Sequence, residues 1–95
     1  MEVDREWSLR GEAVAWVDEE WPGWVRVRLD DADGRAWYVV DKVPVFGLDL
    51  ALGAPLPVPV RLLCDVVGED GDLVVIMLRW NVDTRQFRVR RDQLA

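Results

Sequence analysis

The side chains that ordinarily carry reaction chemistry are sparse in this chain. Histidine is absent, which removes the commonest general base, the Ser–His and Cys–His dyads and the imidazole metal ligands together. Ser8 and Thr84 are the only hydroxyls beside the phenol of Tyr38, and neither has a base near it in sequence. Cys64 is the single cysteine. Within "VRLLCDVV" it reads as a buried thiol, and alone it forms neither an internal disulfide nor a thiolate metal site. Acids are plentiful, 18 in all, and a carboxylate pair can run acid–base chemistry. Here they fall in turn-like stretches without a spacing that would set two of them about one bond. The expectation is a protein that is not an enzyme and calls for no cofactor.

Two acidic loops resemble fragments of calcium sites. "DDADG" contributes Asp31, Asp33 and Gly34, and "GEDGD" contributes Glu69, Asp70 and Asp72. A helix–loop–helix calcium loop needs a bidentate Glu at its twelfth position, and counting from Asp31 that position is Lys42. Both stretches read instead as turns built by Asp side chains, and no metal site is expected. No phosphate-cradling glycine loop is present.

What the chain does carry is tryptophan, six in all, interleaved with arginine. In "WVDEEWPGW" a hairpin that sets Val17 opposite Trp24 also sets Trp16 opposite Val25 and Val14 opposite Val27. Trp16 then faces the core with Val14, Val25, Val27 and Leu29, because a one-residue slip would mix the two faces. Trp24 falls on the other face beside Arg26 and Arg28, and Trp21 sits in the turn. An indole over a cation is a common surface pair, worth ~0.5–1 kcal/mol. Alternatively Trp21, Trp24, Arg26 and Arg28 form a binding patch, with Tyr38 and Lys42 as further candidates. In "RQFRVRR", Arg88 and Arg90 lie opposite Phe87 and Val89. Joined to Arg26 and Arg28 they would form a positive stripe with aromatics, the format of single-strand binding. At a net charge of −6, pairing of these arginines with Asp41, Asp83 and Asp92 is the favoured reading. Trp80, closing "LVVIMLRW", reads as core, whereas Trp7 is either a plug or an exposed contact.

The elements that must position these residues are short strands. Period-two patterns place them at 12–17, 24–30, 36–41, 58–67, 73–80 and 86–90, with turn chemistry between. Residues 42–59 differ. Pro44, Pro55, Pro57 and Pro59 each lack a backbone donor, so this is no central strand, and Phe46, Leu48 and Leu52 are expected to pack over one barrel end. The 95 residues make one domain. The fold class is mainly β: a small antiparallel five- to six-stranded barrel, OB-like or SH3-like, with a long Pro-rich connection in the middle. The strand 36–41 is bulky on both faces, so its second face needs a cover, either that connection or another chain.

The stretch "GWVRVRLDDADGRAWYVVDKVPVFG" (23–47), with the closing "FRVRRDQL" (87–94), resembles small all-β proteins of actinobacteria. The resemblance implies an all-β fold and no particular function.

The charged "MEVDREWSLR" has no apolar core of a signal peptide, and no apolar run reaches the ~20 residues of a membrane span, so a cytoplasmic protein is expected. The functional expectation is a non-enzymatic protein-binding module, as an immunity- or antitoxin-type inhibitor, an accessory subunit or a homodimer. Net acidity steers such a chain onto basic partners. The alternative is an OB-like binder of single-stranded nucleic acid or a small ligand through a Trp/Arg face.

Overall fold

In a computed structural model, residues 7–46, 48–79 and 85–95 are described. They form six antiparallel strands: β1 (Trp7–Asp18), β2 (Trp24–Asp30), β3 (Ala36–Lys42), β4 (Val58–Asp70), β5 (Leu73–Leu78) and β6 (Gln86–Arg90), then a 3-10 turn at Arg91–Gln93. The sheet order is β3-β2-β1-β4-β5-β6, curled into a half-barrel. β2 and β6 have the expected limits, β1 begins at Trp7 rather than residue 12, and β4 runs on to Asp70. Trp80, expected to close β5 as a core residue, lies outside the described residues, as do Asp83 and Thr84. Among the described residues no helix is long and apolar enough to cross a membrane.

The alternation that predicts the strands also places the core. Val25, Val27 and Leu29 of β2, Val74, Ile76 and Leu78 of β5, and Phe87 and Val89 of β6 are all buried. Strand β1 ties the two halves together by dividing its length. Residues Trp7–Ala13 pair with β4, and Glu12–Asp18 pair with β2, so β2 and β4 diverge from it and the sheet curls. On its free side, the first half of β1 meets the C-terminal tail through a Leu9–Leu94 bridge and reciprocal backbone bonds between Ser8 and Ala95.

The hairpin register is corrected by two bulges. Trp16 does face Val25, but Ala13, not Val14, faces Val27, and Asp18, not Val17, faces Trp24. Val14 and Val17 fall at the register shifts, each an extra residue against one partner, and Val17 is exposed. A bulge bends its strand and sharpens its twist, as a strand shared between diverging neighbours requires. Small residues mark the tight crossing: a Cβ on Gly11 would come to 3.0 Å from the Arg28 carbonyl oxygen.

Trp16 is half-buried at the core's rim rather than inside it. The connection of residues 43–57 caps it, and its indole Nε1–H donates to the Ala54 carbonyl at 2.9 Å. Gly23, at φ 86°, makes room, since a Cβ there would lie 2.5 Å from Leu52 Cδ2 and 3.1 Å from the Trp16 ring. From the connection, Val43 and Phe46 are buried, and Leu48, Leu50 and Leu56 pack on the core. Leu52, expected in that group, is exposed. It lies over Gly23 at the hairpin, beyond the barrel end. Trp7 packs half-buried against the core.

Candidate docking site on the outer face of β2 and β3

The turn between β2 and β3 sets which side of β3 faces outward. Asp31 Oδ1 accepts from the Asp33 and Arg35 N–H groups, each at 2.9 Å, and its Oδ2 accepts from Trp37 Nε1 at 2.9 Å. Gly34 completes the turn at φ 82°. The bond from Trp37 first, then the backbone bonds, lower the Asp31 carboxyl below its ordinary 3.8. These bonds draw Trp37 inward, where it packs edge-on against Phe87 at 5.5 Å and lies under the Arg35 and Arg85 guanidiniums at 4.4 and 4.8 Å. Val39 follows it into the core, and Tyr38 and Val40 are left outside.

Three cross-strand rows result. Trp24 faces Lys42, Arg26 faces Val40, and Arg28 faces Tyr38. Residues directly opposite in an antiparallel pair share a face, so five of the six predicted binding residues meet on one surface. It stays open: Trp24 is 36% exposed, Val40 42% and Tyr38 55%. The 43–57 connection packs on the core instead of covering it. Trp21, the sixth, stays at the tip of the β1–β2 hairpin, 82% exposed, outside these rows. Val40, between Tyr38 and Lys42 on β3, supplies the central apolar patch.

The face gathers three cations, Arg26, Arg28 and Lys42, and on its β1 side Glu12 and Asp18 stand opposite Arg28 and Trp24. Lys42 Nζ stands 5.5 Å over the Trp24 ring. Neither Lys42 nor Arg26 forms an ion pair with a described residue. Arg28 is held by Asp30 at 3.1 Å, and that hydrogen bond, then the attraction of the charge, raises its already high pKa. The extended stripe does not form. Arg88 pairs with Asp70 and Arg90 with Asp92, both at 3.1 Å, and Asp30, Asp31 and Asp33 lie in the turn that docks beside Arg88. Of the expected acid partners, Asp92 is used. Asp41 is buried and accepts from the Lys42 N–H at 2.8 Å.

Comparison with family models, curated proteins and solved structures finds no match. The site must therefore be read from its own geometry.

The backbone of β3 adds a second feature to the face. At one end of the β2–β3 ladder Asp31 N–H bonds the Arg35 carbonyl, and at the other Val43 N–H bonds the Gly23 carbonyl. Bonding residues alternate along an antiparallel strand, so Trp37, Val39 and Asp41 bond β2. Ala36, Tyr38, Val40 and Lys42 then turn their N–H and C=O groups to the free edge. Lys42 is satisfied locally, its carbonyl accepting from Val45 and Phe46 and its N–H donating to Asp41. Tyr38 and Val40 bond no described residue on that side. A groove of about 450 Å³ opens where this edge nears β6, with Trp37, Phe87, Arg35 and Gln86 among its walls.

Elsewhere among the described residues the chemistry-bearing groups do not converge. A cleft of about 520 Å³ holds Arg10, Arg28 and Arg90, but Glu12, Asp30 and Asp31 line it too. Cys64 is fully buried, and burial pushes its thiol up to about 11. Among the described residues no group of acids and thiols gathers as a metal site.

Proposed function

We propose that this chain is a non-catalytic binding module that docks a protein partner on the outer face of β2 and β3. The observation that carries the reading is the uncovered triple row Trp24/Lys42, Arg26/Val40 and Arg28/Tyr38. Aromatics and arginine dominate binding hot spots, and a contiguous exposed apolar strip rimmed by charge is the usual mark of an interface. An accessory subunit and an immunity-type inhibitor both fit a small module of this kind. The homodimer is the weaker version, because two copies would bring like cations together on this face while each carries a net −6.

A photo-crosslinking residue placed at position 40, and in a control at position 61 on the exposed outer face of β4, tests the reading in cells. Protein adducts should form from position 40 and be lost in the Trp24→Ala/Tyr38→Ala background. Adducts equal from both positions, or unchanged in that background, would refute the face as the docking site.

Single-strand binding is the second reading, favoured by one observation. A three-strand meander, a connection and a return, with a long bulged first strand shared by both halves, resembles the strand order of an OB-type barrel with a sixth strand added. In OB-folds the face of strands 2 and 3 takes oligonucleotides. Tryptophan fluorescence titrated with oligodeoxythymidylate at low and high salt separates the two. Saturable, salt-sensitive quenching lost with Trp24→Ala would favour the nucleic acid.

A further inference from the structure

We propose that the partner enters as a seventh strand: an extended acidic segment of another protein pairs with the open edge of β3, its acids on the Arg26/Lys42 side and its apolar residues turned toward Trp37. The inference rests on the docking face above and specifies its mode and chemistry. Tyr38 and Val40 turn both donors and acceptors outward at alternate residues, spaced ~7 Å apart as in any strand. A peptide backbone satisfies both kinds of group, whereas a phosphate backbone offers acceptors alone, so the edge selects protein over nucleic acid. The devices that blunt edge strands are proline, bulges, inward charge or a covering segment. Within β3 there is no proline and no register shift against β2; its inward charge, Asp41, and its lysine, Lys42, stand at the last two positions, and no described segment covers the Tyr38–Val40 stretch.

The sign of the guest follows from charge. An added strand sets alternate side chains on the outer face beside Tyr38, Val40 and Lys42, with Arg26 one strand away. Arg26 and Lys42 have no acid partner among the described residues, so acids there would complement them. The intervening residues fall on the inner side, toward the seam groove, where Trp37 and Val75 supply the apolar lining among charged neighbours and Phe87 lies beneath. The motif is therefore acid–apolar alternation. Strand addition of this kind draws affinity from the main chain and specificity from alternate side chains.

The test uses the whole chain and a capped seven-residue peptide alternating valine with glutamate, followed by two-dimensional amide NMR. Saturable binding should slow hydrogen exchange at Tyr38 and Val40, and the Arg26→Glu/Lys42→Glu variant should weaken it by at least about tenfold. Methylating the backbone nitrogens of the glutamates blocks an antiparallel guest, and methylating those of the valines blocks a parallel one. One methylated peptide should therefore fail while the other binds. Equal behaviour of the two, absence of binding by the parent, or equal binding of a valine–lysine peptide would overturn the proposal. So would preferential binding of oligodeoxythymidylate. The crosslinking at position 40 is independent of these outcomes: adducts lost with Trp24→Ala/Tyr38→Ala would leave the docking face standing without the strand.

Discussion

Strands β3 and β6 both end the sheet, yet they differ in the middle: on β6 the Arg88 carbonyl and the Arg90 N–H are occupied, whereas on β3 only Lys42, at its end, has its outward groups satisfied by described residues. The Arg88 carbonyl accepts from Ala32 N–H at 2.8 Å. Arg90 N–H donates to Gln93 Oε1 at 2.8 Å, while Gln93 Nε2 donates to the Asp30 carbonyl at 2.8 Å. One buried amide thus seals β6 to the end of β2, and the tail beyond it bridges to β1. On β3 the corresponding groups of Tyr38 and Val40 face outward beside an aromatic and cationic surface. The sheet could curl shut on one side because the 91–95 tail supplies a cap, and no described segment does the same for β3. An edge left open in a chain that closes the other is the reason to place the partner there.

The comparison breaks most readily at the closed side. Phe87 is 4% exposed and holds Trp37 across the seam, so Phe87→Ala should lower unfolding stability by ~3–5 kcal/mol in urea denaturation. A loss under ~1 kcal/mol would mean the seam is not packed. Gln93→Ala removes two part-buried hydrogen bonds, to the Arg90 N–H and the Asp30 carbonyl, at a cost of ~0.5–1.5 kcal/mol each. Gln93→Glu keeps the acceptor and loses the donor, and should fall between.

The turn that docks on β6 gives a pH-dependent effect of smaller size. Asp31 has a folded pKa below its ordinary 3.8, so its ionised form favours the folded state above that value. The contribution is lost as pH falls through the lower, folded value. The gap in thermal midpoint between wild type and Asp31→Asn should be full at about pH 5 and above and shrink in more acidic buffer. A gap that ignores pH would remove the charge from the explanation. At the open edge Tyr38→Ala should cost under ~1 kcal/mol in stability while weakening partner binding. A large destabilisation would mean the face is covered.

Much of this was legible in the residues. The alternation in β2 and β6 named both their limits and their buried sides, and it set Trp24, Arg26 and Arg28 together on the outer face of β2. The register of β1 was not legible, because Val14 and Val17 look like ordinary strand residues and a bulge is set by the curl of the whole sheet. Trp21 was grouped with Trp24 by nearness in sequence, but the turn holds it apart. The two orientations of β3 could not be separated by bulk, since both faces are apolar. Asp31 decides between them by accepting from the Trp37 indole, and "DDADGRAW" contains that signal only as an acid six residues before a tryptophan. Gln93 carries no pattern at all. Its role depends on a contact with Asp30, far away in the chain.

The most direct measurement is hydrogen exchange of individual amides in the free, dilute protein. Along β3 the N–H groups of Trp37, Val39 and Asp41 should be protected by their bonds to β2, as should those of Ala32 and Arg90 on the closed side. Tyr38 and Val40, on the same strand, should exchange rapidly. Uniform protection from residue 37 to residue 41 would contradict an open edge on β3, and with it the docking site argued from that edge.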